Sequence, residues 1–454
     1  MNSKKHLRKN IIISIFAVFI LIIFTSTSFA TETVNLNSKA AILVDNDSGK
    51  ILYGKNENEK VYPASTTKVL TAILALEKLD LTSSVVVSKE AVNLPYGSSN
   101  AALKQGEVIS VKDLLYGLML RSGNDCANVL AEAVSGSIDN FVELMNDKLK
   151  QLGCTNSHFA NAHGYHDDNH YTTPSDMMKI LSYAIKNDNF VKIISTTLYT
   201  IEKTNKTDSK RIYQNTNRLI LTKDDSYLSR YYEYCIGGKT GYTDEAGRTL
   251  VAYAKNGEKN LLIGIFNAPV LGSKDLRYTD AITLFDYGFN NFEKIKLIDK
   301  KDYVFSYTNN EKKLVYTYSL PNDIYALSLS GDNTPLNITY DINLNYDELN
   351  KYNDTSTHFE NQAIGTITMN FTQNNSTFSN SFDLTLNNVA LCKQLSSDTY
   401  KSIKIITICI VSIFVLFVLL KLSTRLGKRK KSTKSISTNG RKKNTNYVSR
   451  RIQK

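Results

Sequence analysis

Three short groups of residues carry side chains suited to acyl transfer. Ser65 and Lys68 stand three positions apart in Pro63-Ala64-Ser65-Thr66-Thr67-Lys68. Three residues is nearly one helical turn, so in a helix the amine and the hydroxyl share a face. A hydroxyl becomes a nucleophile when a neighbouring base takes its proton, and a neutral, desolvated lysine is such a base. A helix N-terminus adds a positive field that favours negative charge on the oxygen. The second group is Ser122-Gly123-Asn124, a hydroxyl able to relay a proton beside an amide able to hold a carbonyl. The third is Lys239-Thr240-Gly241, inside the glycine-rich run Cys235-Ile236-Gly237-Gly238-Lys239-Thr240-Gly241-Tyr242-Thr243. Glycines let a substrate backbone lie close to a strand, and Lys239 with Thr240 suits a carboxylate. Each group alone has a plainer reading: a helix cap, a turn, and an edge strand with a solvated lysine.

The surrounding pattern predicts the elements that must hold these groups. Ala40 to Asp45 and Lys50 to Gly54 read as a hairpin around Asn46-Asp47-Ser48-Gly49. From Thr66 the apolar residues Val69, Leu70, Ile73, Leu74 and Leu76 predict a helix apolar on much of its surface, and therefore buried. Helical spacing recurs over Val111 to Met119, Cys126 to Val134, Asn140 to Leu149 and Pro174 to Lys186. Strands return near Tyr234, then Leu250 to Ala254 and Leu261 to Asn267, with Lys255 to Asn260 as the hairpin connection; Lys274 to Phe289 closes the region as a helix. Strands, then helices, then strands and a helix predict one α/β domain over 34–290. From 297 to 393 period-2 alternation predicts a small all-β domain, read as a spacer with no catalytic cluster.

Both ends look like membrane grammar. Lys4, Lys5, Arg8 and Lys9 precede an apolar run from Ile11 to Phe24, and Ser28-Phe29-Ala30 resembles a signal-peptidase site, so residues 1–30 are read as a cleaved export signal. Ile405 to Leu420 is apolar apart from Thr407 and Ser412, and the expected membrane helix covers 403–421. The tail 422–454 is basic and free of acids, which predicts a cytoplasmic tail and an extracellular body. The net charge is +12, but Lys421 to Lys454 contributes +13 and the first ten residues +4, so the rest carries −5. The basic balance therefore reflects topology and attraction to anionic lipid, with no nucleic acid as partner. Five scattered cysteines without a Cys-x-x-Cys pair define no disulfide framework.

Taken together and in this order, the three groups are far more specific than any one. Ser-x-x-Lys, Ser-x-Asn and Lys-Thr-Gly mark penicillin-recognising serine enzymes. From Ala40 to about Phe292 the chain resembles the low-molecular-mass penicillin-binding proteins that act as D-alanyl-D-alanine carboxypeptidases. The likeness extends to Asn161-Ala162-His163-Gly164, Tyr171-Thr172-Thr173 and Lys239-Thr240-Gly241-Tyr242-Thr243-Asp244 with Ala246-Gly247. The resemblance implies the penicillin-binding protein/β-lactamase-like fold, an antiparallel sheet flanked by helices, followed by a β domain and a membrane element. It implies peptidoglycan stem peptides as substrate, β-lactams as covalent inhibitors and no cofactor. Ser65 would be acylated with Lys68 as base, while Ser122 and Lys239 move the proton to the leaving amine. Asn124 would hold the substrate amide and Thr240 its carboxylate. The N–H groups of Ser65 and Tyr242, beside Gly241, would form the oxyanion hole. Arg277 is the candidate for the family's carboxylate-binding arginine. The chain departs from many relatives in its spanning anchor, and the residue after Lys-Thr-Gly varies among them.

Rival chemistries are weaker. A class A β-lactamase needs a placed glutamate; Glu143 with Asn146 is the nearest lookalike and no Glu-x-x-Leu-Asn is present, so penicillin is expected to trap the enzyme. His158, His163, His166 and His170 crowd near Asp167 and Asp168, but His-Glu-x-x-His is missing, and we assign no metal. A non-enzymatic wall-binding module has no use for all three motifs. A DD-endopeptidase cutting cross-links with the same residues remains the alternative.

Overall fold

The structure is a computed structural model; it describes residues 34–221, 230–300, 304–309, 314–319, 322–332, 334, 336–345, 363–373, 376–385 and 389–392. The signal segment, residues 403–421 and the basic tail lie outside the described residues. Among the described residues no helix is long and apolar enough to cross a membrane.

The central sheet has five antiparallel strands. They are β1 (Ala40–Asp45), β2 (Ile51–Lys55), β7 (Cys235–Thr243), β8 (Gly247–Asn256) and β9 (Lys259–Ala268), in the order β2-β1-β9-β8-β7. β1 shows why the sheet is buried on both faces. Successive side chains of a strand point to opposite faces. Ala40, Ile42 and Val44 enter one apolar cluster, while Ala41 and Leu43 enter another. The first cluster is completed by the helices Lys68–Lys78, Val111–Met119, Asn124–Ser135, Ile138–Gln151, Pro174–Ala184 and Asp188–Ser195; the second by Leu276–Asn291. This is the α/β arrangement expected from the order of elements.

Local chemistry sets the boundaries of the helices that matter most. Ser110 caps Val111–Met119 by accepting the Asp113 N–H at 3.0 Å. Thr173 caps the helix Pro174–Ala184 by accepting the Asp176 N–H, with Pro174 at its first position. Every residue from Lys68 to Ala75 is buried, as the all-round apolar pattern requires. Before that helix, Ala64–Thr67 forms one 3₁₀ turn, so the expected helix begins as a tighter coil. Residues three apart eclipse in a 3₁₀ turn, which suits Ser65 and Lys68 better than the α geometry assumed from spacing.

One reading needs correction, and several short elements were not anticipated. Lys255 to Asn260 is not a six-residue connection, because Asn256 pairs with Lys259 and only Gly257 and Glu258 turn. Backbone hydrogen bonds extend the ladder through polar residues that look like loop. The helix Asp188–Ser195 and three short strand pairs were not anticipated: β3 (Ser84–Val86) with β4 (Val108–Ser110), β5 (Leu198–Ile201) with β6 (Arg211–Gln214), and β10 (Val270–Leu271) with β11 (Lys274–Asp275). They are too short to show a clear period.

Beyond the closing helix the alternating segments are strands. β12 (Phe292–Ile298) pairs with β15 (Ile324–Leu329), and β16 (Asn337–Leu344), β17 (Ala363–Gln373) and β18 (Ser376–Thr385) form a three-stranded sheet. β13 (Val304–Asn309), β14 (Leu314–Ser319) and β19 (Val389–Cys392) form another. The described residues fall into two compact units: β13, β14 and β19 in one, and the five-stranded sheet with its helices, β12, β15, β16 and most of β17 and β18 in the other.

Candidate active site

The three motifs arrive from three different elements. Ser65 lies in the 3₁₀ turn with Lys68 just after it, and Asn124 opens the helix Asn124–Ser135 with Ser122 just before. Lys239-Thr240-Gly241 lies on β7, the edge strand of the sheet. They meet around one buried amine. Lys68 Nζ donates to Ser65 Oγ at 2.9 Å, to Asn124 Oδ1 at 2.7 Å and to the His163 carbonyl at 2.7 Å. Burial and then the nearby charge of Lys239 hold the Lys68 amine well below the usual lysine range. Lys239 is itself pushed down to about 7, by burial and then by the Arg277 guanidinium.

The backbone around Ser65 and Ser122 is strained. Ala64 has φ +49° and Ser122 has φ +63°, both in the left-handed region. For a residue with a side chain that region costs roughly 1–2 kcal/mol, and it persists where the surroundings over-determine it. Several contacts hold the first of these turns. Thr67 Oγ1 donates to the Ala64 carbonyl at 2.9 Å, and Thr249 Oγ1 from β8 donates to the Pro63 carbonyl at 3.1 Å. Gly164 sits so close that a Cβ there would lie 1.8 Å from the Ala64 oxygen. Gly241 makes the matching approach from β7, where a Cβ would lie 2.8 Å from the Ser65 nitrogen. The strand edge and the serine backbone therefore meet with no room for a side chain.

Behind Ser122 and Asn124 a second network fixes the motif. Both Asp125 carboxylate oxygens accept the Ala101 N–H at 2.9 Å, and Oδ2 also accepts that of Leu103 at 3.1 Å. The Asn124 N–H donates to the Ser99 carbonyl at 2.9 Å. Glu107, completely buried, is paired with Arg211. The thiol of Cys126, near Gly123, is pushed well up by burial and then by the Asp125 charge, which keeps it an inert thiol. Cys126, Cys154 and Cys235 are all free.

The remaining candidates line β7. Thr240 Oγ1 donates to Thr216 Oγ1 at 2.8 Å, and Lys239 Nζ donates to the Thr240 carbonyl at 2.9 Å. Arg277 is buried beside them: Nη1 donates to the Gly241 and Thr249 carbonyls at 3.2 Å each, and Nη2 pairs with Asp275 at 2.9 Å. It thus joins the motif strand in spite of its unusual flanking sequence. Tyr242 is 51% exposed, with Arg248 over its ring at 4.2 Å and its hydroxyl donating to Asp244 at 2.6 Å.

His163 and His170 are held in hydrogen bonds beside this centre. His163 serves through its carbonyl, and its Nδ1 accepts the Tyr165 N–H at 3.1 Å. His170 is 2% exposed and bonded through both ring nitrogens, Nδ1 accepting the Ala160 N–H at 3.1 Å and Nε2 meeting Thr67 Oγ1 at 2.8 Å. Burial pushes both rings down to about 3, so they are neutral. Among the described residues no group of three or more His, Cys, Asp or Glu is disposed to hold a metal ion. Thr216 and Thr67 were missed by sequence reasoning, and His170 was weighed only as a metal ligand. Only their positions in the fold single them out, apart from His170 preceding the Tyr171-Thr172-Thr173 run.

Known proteins resemble this chain in sequence and in fold. The family model described as D-alanyl-D-alanine carboxypeptidase matches residues 27–270. D-alanyl-D-alanine carboxypeptidase DacF of Bacillus subtilis is 33% identical over 296 residues, 63% of this chain and 72% of that protein. D-alanyl-D-alanine carboxypeptidase DacC of Escherichia coli is 35% identical over 291 residues, 61% of this chain and 68% of its own. Among solved structures, the Streptomyces K15 DD-transpeptidase is similar with a TM-score of 0.51 at 33% identity, covering 56% of this chain and 98% of that one. The α/β fold is thus that of the penicillin-binding proteins. With its motifs converging on one buried lysine and its match extending over more than half its length, the chain belongs to the D-alanyl-D-alanine carboxypeptidase family, peptidase family S11.

Proposed function

We propose that this DD-carboxypeptidase removes the terminal D-alanine of peptidoglycan stem pentapeptides through an acyl-enzyme on Ser65. The observation that carries the proposal is the set of three hydrogen bonds from Lys68 Nζ to Ser65 Oγ, Asn124 Oδ1 and the His163 carbonyl. An amide oxygen and a backbone carbonyl only accept hydrogen bonds. When the amine is neutral, its two N–H groups stay with Asn124 and His163, and its lone pair faces the Ser65 hydroxyl. Desolvation and the Lys239 charge favour that neutral form.

In the proposed cycle Ser65 Oγ bonds to the carbonyl carbon of the penultimate D-alanine, and Lys68 receives the hydroxyl proton. The oxyanion is held by the N–H groups of Ser65 and Tyr242, a role supported by the close approach of Gly241 to the Ser65 nitrogen. The C–N bond to the last D-alanine then breaks, and Ser122 with Lys239 passes a proton to the leaving amine. Water hydrolyses the ester and frees Ser65. Thr240 receives the substrate carboxylate and Asn124 its amide. Arg277 supplies positive charge beside that carboxylate from behind β7, consistent with its bonds to Gly241 and Thr249. A β-lactam acylates the same serine, and its retained leaving group blocks hydrolysis.

We further propose the organisation expected from the sequence: an export signal over 1–30, a catalytic domain over 34–290, a β-rich spacer over 297–393, a spanning anchor over 403–421 and a cytoplasmic tail over 422–454. The basic, acid-free tail after an apolar segment supports an extracellular catalytic face. Protease added outside intact cells should remove the body and spare the tail; the reverse pattern would overturn this topology.

The decisive experiment is mass spectrometry of the full chain with a stem pentapeptide ending in D-Ala-D-Ala, alongside a cross-linked dimer. Loss of one alanine, blocked by penicillin and by Ser65→Ala, is the expected result. Cleavage of the dimer alone would make the protein an endopeptidase.

A further inference from the structure

We propose that His170 is a positioning residue for the nucleophile: acting through Thr67, it locks the strained Ala64 peptide and so sets the Ser65 hydroxyl against Lys68. The proposal rests on Ser65 being the acylated residue. The chain of atoms is continuous. The Ala160 N–H donates to His170 Nδ1 at 3.1 Å, so Nδ1 carries no proton and the neutral ring bears its proton on Nε2. That Nε2–H meets Thr67 Oγ1 at 2.8 Å. With a lone pair so occupied, the hydroxyl aims its own proton at the Ala64 carbonyl, 2.9 Å away.

The far end of this relay is the peptide immediately before Ser65. Ala64 holds φ +49°, a conformation that relaxes unless its neighbours forbid it. A free Thr67 rotor could swing its proton elsewhere and leave the Ala64 carbonyl unpaired. His170 removes that freedom, and its own orientation is fixed by Phe159, stacked at 4.8 Å with rings 6° from parallel. Its loop also supplies Gly164, against the same Ala64 oxygen, and the His163 carbonyl that accepts from Lys68. One loop therefore meets Lys68 directly and the peptide that precedes Ser65, through different atoms. No atom of His170 needs to reach the substrate.

The test compares variants of the full chain by the second-order rate of labelling with fluorescent penicillin, with a melting curve for each. His170→Ala should label about 10²-fold more slowly, the scale of a small misplacement of reacting groups. His170→Gln places an amide N–H where Nε2–H stood and should recover most of that rate. Thr67→Val should match His170→Ala, Thr67→Ser should restore the rate, and the double change should be no slower than Thr67→Val alone. A folded His170→Ala at the wild-type rate would overturn the proposal. So would His170→Gln no faster than His170→Ala at equal melting temperature. Should His170→Ala not fold, the Thr67 pair decides, and wild-type labelling of Thr67→Val sinks the idea. Ser65→Ala serves as the separate control: labelling that survives it refutes the assignment of the nucleophile, whatever the His170 variants do.

Discussion

The charge on Lys239 works against the protonation of Lys68. Both side chains are fully buried, Lys68 from the helix behind Ser65 and Lys239 from the edge strand. Burial is the larger cause of the depressed Lys68 proton affinity, and Lys239 the next. In the proposed cycle the two lysines divide the work: Lys68 is held neutral to take a proton, and whatever charge Lys239 bears favours that form.

Removing that charge should move the pH profile. In Lys239→Gln the Lys68 pKa rises, so the acid limb of penicillin acylation shifts to higher pH. The measurement is the acylation rate from pH 5 to 9. An unmoved or downward-shifted limb would show that Lys68 does not feel Lys239.

Lys68→Ala removes the proposed base and should slow acylation by about 10²–10⁴-fold, the usual scale for a general base. Stopped-flow labelling of a variant shown to be folded measures it. A near-normal rate would assign the proton to another group.

Two glycines allow a controlled comparison. Gly164 and Gly153 have φ +81° and +68°, but a Cβ on Gly153 meets nothing within 4 Å, whereas one on Gly164 collides with the Ala64 carbonyl. Gly153→Ala should cost only the backbone term, about 1–2 kcal/mol. Gly164→Ala should lower the melting temperature further and also depress acylation, because the Ser65 turn must yield. Equal effects on both readouts would mean the loop gives way instead.

Acid should destabilise the fold in a defined window. His163 and His170 are held near 3 in the folded state against 6.5 for a free histidine. Below pH 6.5 the unfolded chain binds protons that the folded chain refuses, so stability is retained above 6.5 and lost as pH falls toward 3. The slope approaches about 1.4 kcal/mol per pH unit for each histidine. Chemical denaturation between pH 4 and 8 should show it, with a shallower slope in His170→Gln. An unchanged slope would mean that His170 binds its proton equally well in the folded and unfolded chain.

Local signals were legible in the sequence and distant ones were not. Ser65 and Lys68 are three residues apart, so any helix-like turn pairs them, and the apolar run that follows dictates a buried helix. The order β2-β1-β9-β8-β7, by contrast, joins Ala41 to Ile265, and nothing in either segment names its partner. Arg277 was found only through resemblance, since its part is played by bonds to the carbonyls of Gly241 and Thr249. Thr216 and Thr67 look like ordinary polar residues until folding places one hydroxyl on Thr240 and the other under His170. The run Lys255 to Asn260 misled because a ladder is built from backbone groups, and charged side chains at a sheet's end do not stop it.

The position of β7 at the sheet margin has a consequence for solubility. An unpaired strand edge is a template for another chain, and natural proteins guard such edges with inward-pointing charge or irregular backbone. β7 carries both guards, a buried Lys239 and a register shift between Cys235 and Gly237. Replacing Lys239 with an apolar residue would therefore do more than impair chemistry. It would turn a substrate-receiving edge into an adhesive one, and aggregation during refolding should rise with the loss of that single charge.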